Sequence, residues 1–113
     1  CAQLENLDRY VADKRETAAC YAEFFKGKED ITFFTEPADC KSNYWLNAVV
    51  LKDKAAQLDF LEYTNDHGVM TRPVWELMNR LPMFEHCETD GLENTEWLAD
   101  RVVNIPSSVR LDK

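Results

Sequence analysis

Arg72, Trp75 and Asn79 are the residues of this 113-residue chain whose types and spacing best suit ligand chemistry. They lie in G-V-M-T-R-P-V-W-E-L-M-N-R-L-P-M-F, Gly68–Phe84, which crowds aromatics, sulfur and two arginines around Pro73 and Pro82. Each proline removes a backbone donor, so the segment is neither a plain helix nor a plain strand. Pro73 also pushes Arg72 towards extended geometry. A guanidinium fixed in that way beside Trp75 suits a carboxylate or a phosphate. The same arginine can equally pair on the surface with one of the chain's many acids. Asn79 can cap a turn or hydrogen-bond a ligand, and Trp75, Met78, Met83 and Phe84 can equally be core. The segment is read as the rim of a ligand site, most of which lies outside this chain.

No other residue makes an autonomous active site, and no catalytic residue is assigned. His67 precedes Gly68 at a helix end, where an imidazole bonds the last carbonyls. His86 has acidic neighbours and neither a nucleophile nor a base beside it, and Ser107-Ser108 after Pro106 reads as a turn. G-x-S-x-G, Walker, G-x-G-x-x-G and H-E-x-x-H patterns are all missing. Cys1, Cys20, Cys40 and Cys87 lie far apart without a C-x-x-C, and His86-Cys87 fits no zinc spacing. They are expected to be reduced thiols of a cytoplasmic protein without a metal site.

The elements that must position Arg72 follow from periodicity and punctuation. Ala2–Lys26 is helical: Leu4, Leu7, Val11, Ala18, Tyr21 and Phe25 step by three and four, Lys14 alone breaks the stripe, and Gly27 caps the end. So long and narrow a stripe asks for a partner surface. Ile31–Phe34 is β-prone and Glu36–Ser42 is loop. Tyr44–Leu51 is the best strand, and since Asn47 is its one polar residue both faces are expected to be covered. Asp53 caps a helix through Asp66, with Ala55, Leu58 and Leu61 on one stripe and Ala56, Phe60 and Tyr63 on another. Val69–Thr71 is a short strand, ended or held at an edge by Pro73, and Glu76–Arg80 is one helical turn. After the acidic Glu85–Glu93 turn, Asn94 caps a helix Thr95–Asp100 that buries Trp97 and Leu98. Val102–Ile105 is the last strand. This order predicts an α+β fold of two layers, with a three- to four-stranded, mostly antiparallel sheet under a long N-terminal helix and shorter ones.

Composition sets the outer limits. The length suits one domain, 45% apolar residues can build a core, and no repeat or low-complexity tract appears. A formal charge of −8, from 21 acids against 13 bases, argues against nucleic acid as partner. No apolar run approaches a membrane span. The sequence opens at Cys1 inside a helical pattern with no cap ahead of it, so it is expected to be a piece of something larger.

Taken together these residues resemble the C-terminal small domain of the PLP-dependent nucleotide-sugar aminotransferases, the DegT-type enzymes of fold type I. C-A-Q-L-E-N-L-D-R-Y resembles the family's A-Q-L-x-x-L-D helix, and Asn43–Leu51 the strand that begins its small-domain sheet. G-V-M-T-R-P resembles the G-I-x-T-R-P segment, which is followed by a P-L-H-like element and a Pro-aromatic end. W-L-A-D-R-V-V-N-I-P-S resembles the short helix and L-x-L-P strand. Leu77 and Asn79 stand where the family's P-L-H element has its proline and histidine. The wording around Thr71–Phe84 and Arg101–Ser108 is nearest to members acting on 4-keto-6-deoxy sugars in surface-glycan and nonulosonic-acid pathways. The resemblance implies that glutamate or a similar donor converts PLP to PMP, which aminates the keto carbon of a nucleotide sugar. It implies a homodimer whose PLP lysine and phosphate cradle lie in a large domain absent here, so this chain alone would bind no PLP and be inactive. Arg72 would then face the nucleotide sugar, Trp75 pack near it and Asn79 hydrogen-bond to it. A rival reading is a freestanding protein-interaction module, with the first helix as docking seam and Trp45, Trp75 and Trp97 as anchors.

Overall fold

The computed structural model describes residues 4–110, so Cys1 and the first expected helical residues, Ala2 and Gln3, lie outside the described residues. A 3-10 turn over Leu4–Asn6 leads into α1, Leu7–Phe25, and Gly27 (φ 75°) takes the left-handed conformation just beyond it. The strands β1 (Ile31–Phe33) and β2 (Asn47–Leu51) precede α2 (Lys54–Asp66). Then come β3 (Arg72–Pro73), a 3-10 turn over Met78–Arg80, α3 (Glu93–Ala99) and β4 (Val102–Ile105). The sheet order is β1-β2-β4-β3 and every neighbouring pair is antiparallel. The expected α+β layering is therefore what the chain adopts.

Strand alternation decides which face meets the helices. Phe33, Val49 and Val103 lie opposite one another across β1, β2 and β4, and Asn47 lies opposite Ile105. These residues and Leu51 are buried, and Tyr21, Ala22 and Phe25 of α1 and Ala56, Phe60 and Leu61 of α2 close over the apolar ones. Both helices thus cover one face. On the other, Ala48, Val50, Val102 and Asn104 are only half-buried. The expectation that both faces of β2 are covered holds for one of them, and the polar Asn47 belongs to the covered one.

Several local expectations shift. β2 starts at Asn47 rather than Tyr44, because Tyr44 is left-handed (φ 47°) and the chain bends through Trp45 and Leu46 before pairing. β3 is Arg72–Pro73 and not Val69–Thr71: Thr71 is held by α2 side chains, and pairing with β4 begins only after it. The last helix begins at Glu93, two residues early, behind a left-handed Leu92 (φ 55°) with no side-chain cap from Asn94. Trp97 and Leu98 stay on the surface, since Arg101 lies over the Trp97 indole at 4.5 Å and a two-turn helix cannot reach the core. Leu4 and Leu7 at the start of the long helix are likewise exposed.

Polar side chains complete the core. In α2 the inward stripe is Ala56, Gln57, Phe60, Leu61 and Thr64, while Leu58 and Tyr63 are exposed. Gln57 has no exposed surface. Its Nε2 donates to the carbonyls of Ala99 (2.9 Å) and Val102 (2.8 Å), tying α2 to the α3–β4 junction. On the other side of the domain, Arg15 donates to both oxygens of Glu36 (2.6 and 3.0 Å), and the Ser42 amide adds a third bond (2.5 Å). Those donors hold the Glu36 carboxyl down at about 2, against an ordinary 4.5, with the Arg15 bonds foremost.

Two outcomes are expected. Gln57→Leu leaves two carbonyls without a partner and should cost about 1–3 kcal/mol in chemical denaturation. Glu36 lowers its pKa on folding, so its contribution is complete above pH 4.5 and fades as the pH falls towards about 2. Denaturation of Glu36→Gln across that window should show a flatter fall than wild type; parallel curves would mean that Glu36 does not carry the acid lability.

Candidate functional site

The end of α2 fixes the residue before Arg72. Thr71 is buried, its hydroxyl 2.6 Å from that of Thr64, while Asn65 Nδ2 donates to the Thr71 hydroxyl (3.0 Å) and carbonyl (3.2 Å). His67 closes the same helix end with its Nδ1 2.8 Å from the Tyr63 carbonyl oxygen, as expected of a C-terminal imidazole. From this anchor Arg72 and Pro73 add the outermost strand, with Arg72 opposite Asn104. The Arg72 guanidinium is exposed and donates only to the Thr71 carbonyl (3.2 Å) and Asn65 Oδ1 (3.4 Å). No carboxylate lies within ion-pair distance of it among the described residues.

Beside Arg72 opens a groove of about 660 Å³. Trp75 and Trp45 stack across part of it, ring centres 6.5 Å apart and planes 24° from parallel, although Trp75 remains 72% exposed. The chain after β4, Pro106 to Ser108, and Lys14 of α1 also line it. Lys14 Nζ donates to the Ser107 carbonyl (2.5 Å) and reaches the Trp45 carbonyl (3.4 Å). Among the described residues, no Asp or Glu lines this groove. Two cations, two indoles and no carboxylate make it suited to a ligand that is anionic and in part planar.

Arg72 and Trp75 are therefore brought together, but Asn79 is not with them. Asn79 lines a second, mostly apolar hollow of about 400 Å³ with Leu77, Met78, Phe84 and Leu92. Lys14 and Ser107 were not singled out as site residues. The one sequence signal for Lys14 is that it interrupts the apolar stripe of the first helix. Ser107 has no such signal: its hydroxyl accepts from the Asn47 amide (2.7 Å) and donates to the Ile105 carbonyl (2.7 Å), which locks the groove wall to the start of β2. Elsewhere, no group of three His, Cys, Asp or Glu side chains gathers among the described residues, and Cys20, Cys40 and Cys87 are exposed, free thiols.

The sequence matches the DegT/DnrJ/EryC1/StrS aminotransferase family over residues 1–113. The chain belongs to that family. EpsN of Bacillus subtilis (strain 168) is 27% identical over 110 residues, 94% of this chain and 28% of that protein. The GDP-perosamine synthase of Vibrio cholerae is 25% identical over 109 residues, 94% of this chain and 29% of that protein. The structure of the aminotransferase TlmJ from Streptoalloteichus hindustanus superposes with a TM-score of 0.87 at 21% identity, over 99% of this chain and 30% of that one, a likeness of fold. The chain thus spans under a third of the length of these relatives.

The DegT/DnrJ/EryC1/StrS enzymes are PLP-dependent aminotransferases, and PLP needs a Schiff-base lysine and a carboxylate facing its pyridinium nitrogen. The groove does not fit that group. Its lysine, Lys14, is engaged by two backbone carbonyls, and it has no carboxylate to offer. The cofactor's chemistry is not built into this groove among the described residues.

Because Arg72 has no ionic partner here, Arg72→Ala should change unfolding stability by less than about 0.5 kcal/mol. Thr71→Val, which removes the buried Thr71 hydroxyl and its bonds to Thr64 and Asn65, should cost about 1–2 kcal/mol. Equal losses from both, measured by denaturant titration, would show that Arg72 is part of the scaffold.

Proposed function

We propose that this chain is the C-terminal small domain, residues 1–113, of a PLP-dependent transaminase that aminates a 4-keto-6-deoxy nucleotide sugar. Glutamate is the proposed amino donor, and surface-glycan or nonulosonic-acid biosynthesis in the cytoplasm the proposed setting. The observation that carries this reading is the family match along the whole chain. Beside it stands a groove whose arginine faces no carboxylate.

In this reading Arg72 meets the anionic part of the nucleotide sugar by charge-assisted hydrogen bonds, and Trp75, stacked on Trp45, packs against a planar part. Asn79, further along the same segment, hydrogen-bonds a more distant part of the ligand. PLP, held by a large domain and the second subunit of a homodimer, supplies the electron sink for amino transfer. The small domain supplies the wall that orients the substrate. Alone it is expected to bind no PLP and to be inactive.

Exposed apolar surface supports a missing neighbour. Leu4 is 66% exposed, Leu7 nearly half, and the uncovered face of the sheet carries Ala48, Val50 and Val102. Those positions suit a large domain packed against the start of α1 and the back of the sheet. A freestanding interaction module would use Trp45, Trp75 and Trp97 as anchors. Trp45 and Trp75 instead face each other, and Trp97 lies under Arg101.

The test is the full-length protein. It should show the visible absorbance of bound PLP and aminate a UDP- or dTDP-4-keto sugar, while residues 1–113 mixed with PLP should show neither property. Arg72→Ala should raise the KM for the nucleotide sugar about ten- to a hundredfold, as loss of a charge-assisted hydrogen bond predicts, with little change in Tm. Normal kinetics with a lowered Tm would make Arg72 structural.

A further inference from the structure

Among the described residues Arg9, Lys14, Lys28, Lys41, Arg72 and Arg101 have no acid within ion-pair distance, and of these Lys14 and Arg72 line the groove. Arg15, Lys26, Lys52, Lys54, Arg80 and Arg110 all pair with acids. Lys14 does not pair within ion-pair distance among the described residues, although it is flanked in the helix by Asp13 and Arg15 and followed by Glu16. Its aliphatic stem leaves the apolar stripe of α1 where the stripe reaches the groove, and its ammonium ends there.

The surroundings of Lys14 are unusually well fixed. The chain after β4 runs back over α1 and is fastened at three points. Tyr21 Oη donates to the Pro106 carbonyl (2.9 Å), Lys14 Nζ to the Ser107 carbonyl (2.5 Å), and Asp13 holds Arg110. Asp13, only 8% exposed, accepts from the Arg110 amide (3.0 Å) and from its guanidinium (3.1 and 3.2 Å). Asp13 thus anchors Arg110 and with it the end of this strap. An ammonium has three donors. Two of them go to the Ser107 and Trp45 carbonyls, and those acceptors are neutral, so the third donor and the full charge remain for a ligand.

We propose that Lys14 is a second substrate-binding cation, acting with Arg72 in the same groove on the phosphate groups of a nucleoside-diphosphate ligand. This rests on the function proposed above. Arg72 comes from the outermost strand and Lys14 from α1, so two separate elements each bring a cation to the groove, and Trp75 and Trp45 lie along it for the ligand's planar part. The Ser107 and Trp45 carbonyls hold the ammonium before the ligand arrives, which removes much of the side-chain ordering cost of binding. Asp13 and Arg110 are positioning residues: they fix the strap that presents the Ser107 carbonyl.

The experiment compares wild type, Lys14→Gln and Lys14→Arg in the full-length protein. Gln keeps N–H donors for the two carbonyls but carries no charge, whereas Arg keeps the charge. Lys14→Gln should raise the KM for the nucleotide sugar by about tenfold or more, exceeding any fall in kcat, as expected for a lost charge-assisted contact, and Lys14→Arg should restore part of it. Inorganic pyrophosphate, titrated against the groove's tryptophan fluorescence, supplies a readout independent of turnover. Wild type should bind it more tightly than Lys14→Gln, and the difference should shrink at high salt. Should no nucleotide sugar be aminated, the function falls but this titration still judges Lys14. Equal pyrophosphate affinity in wild type and Lys14→Gln, no binding by either, or a loss that tracks a lowered Tm and is not relieved by Arg would overturn the proposal.

Discussion

Val49 opposite Val103, neither with any surface exposed, is the contact on which the rest of this domain depends. The β2–β4 pairing brings together segments separated by α2, by the irregular stretch after it and by α3. Once β4 is in place, its outer side receives β3, and the chain leaving it crosses α1. Both walls of the groove are therefore attached to one strand. A change in β4 register by a single residue would turn Val103 and Ile105 outward and displace both walls at once.

Polar side chains do in this small domain what a larger core would do elsewhere. Gln57 joins α2 to β4, Asp13 joins α1 to Arg110, and the Arg15–Glu36 pair joins α1 to the loop before β2. Each has its partners supplied in full, which is the condition under which buried polarity stabilises and does not penalise. The same commitments shape function. Asp13, Glu36 and Glu96 pair with arginines elsewhere, and among the described residues the groove beside Arg72 and Lys14 is free of carboxylates in a chain that is strongly acidic overall.

The sequence was most legible where structure depends on near neighbours. The two long helices follow from their spacing, with Gly27, Asp53 and Gly68 marking their limits, and Asp53 Oδ1 does accept from the Ala56 amide at 2.8 Å. Arg72 and Trp75 stand out as candidates because a proline and an indole lie within three residues, and the fold puts both on one groove. What stayed hidden depends on distant partners. Gln57 reads as a solvent-facing helical residue until Ala99 and Val102, 42 and 45 positions away, meet it. Lys14 and Ser107 are 93 apart, and Asp13 and Arg110 are 97 apart. Asn79 lies close to Arg72 in sequence and stands at the family's histidine position, and the 3-10 turn that carries it leads into a different hollow.

Pro73 has a consequence beyond the site it helps to shape. It occupies the outer margin of the sheet, where a strand ordinarily offers a row of free amides to any extended peptide nearby. With only two residues in β3, and one of them lacking an N–H, that margin cannot template a further strand. Sheet growth from copy to copy is blocked on this side, so whatever meets the groove must do so through side chains. The opposite margin, Ile31–Phe33, carries no proline and is limited instead by its length of three residues.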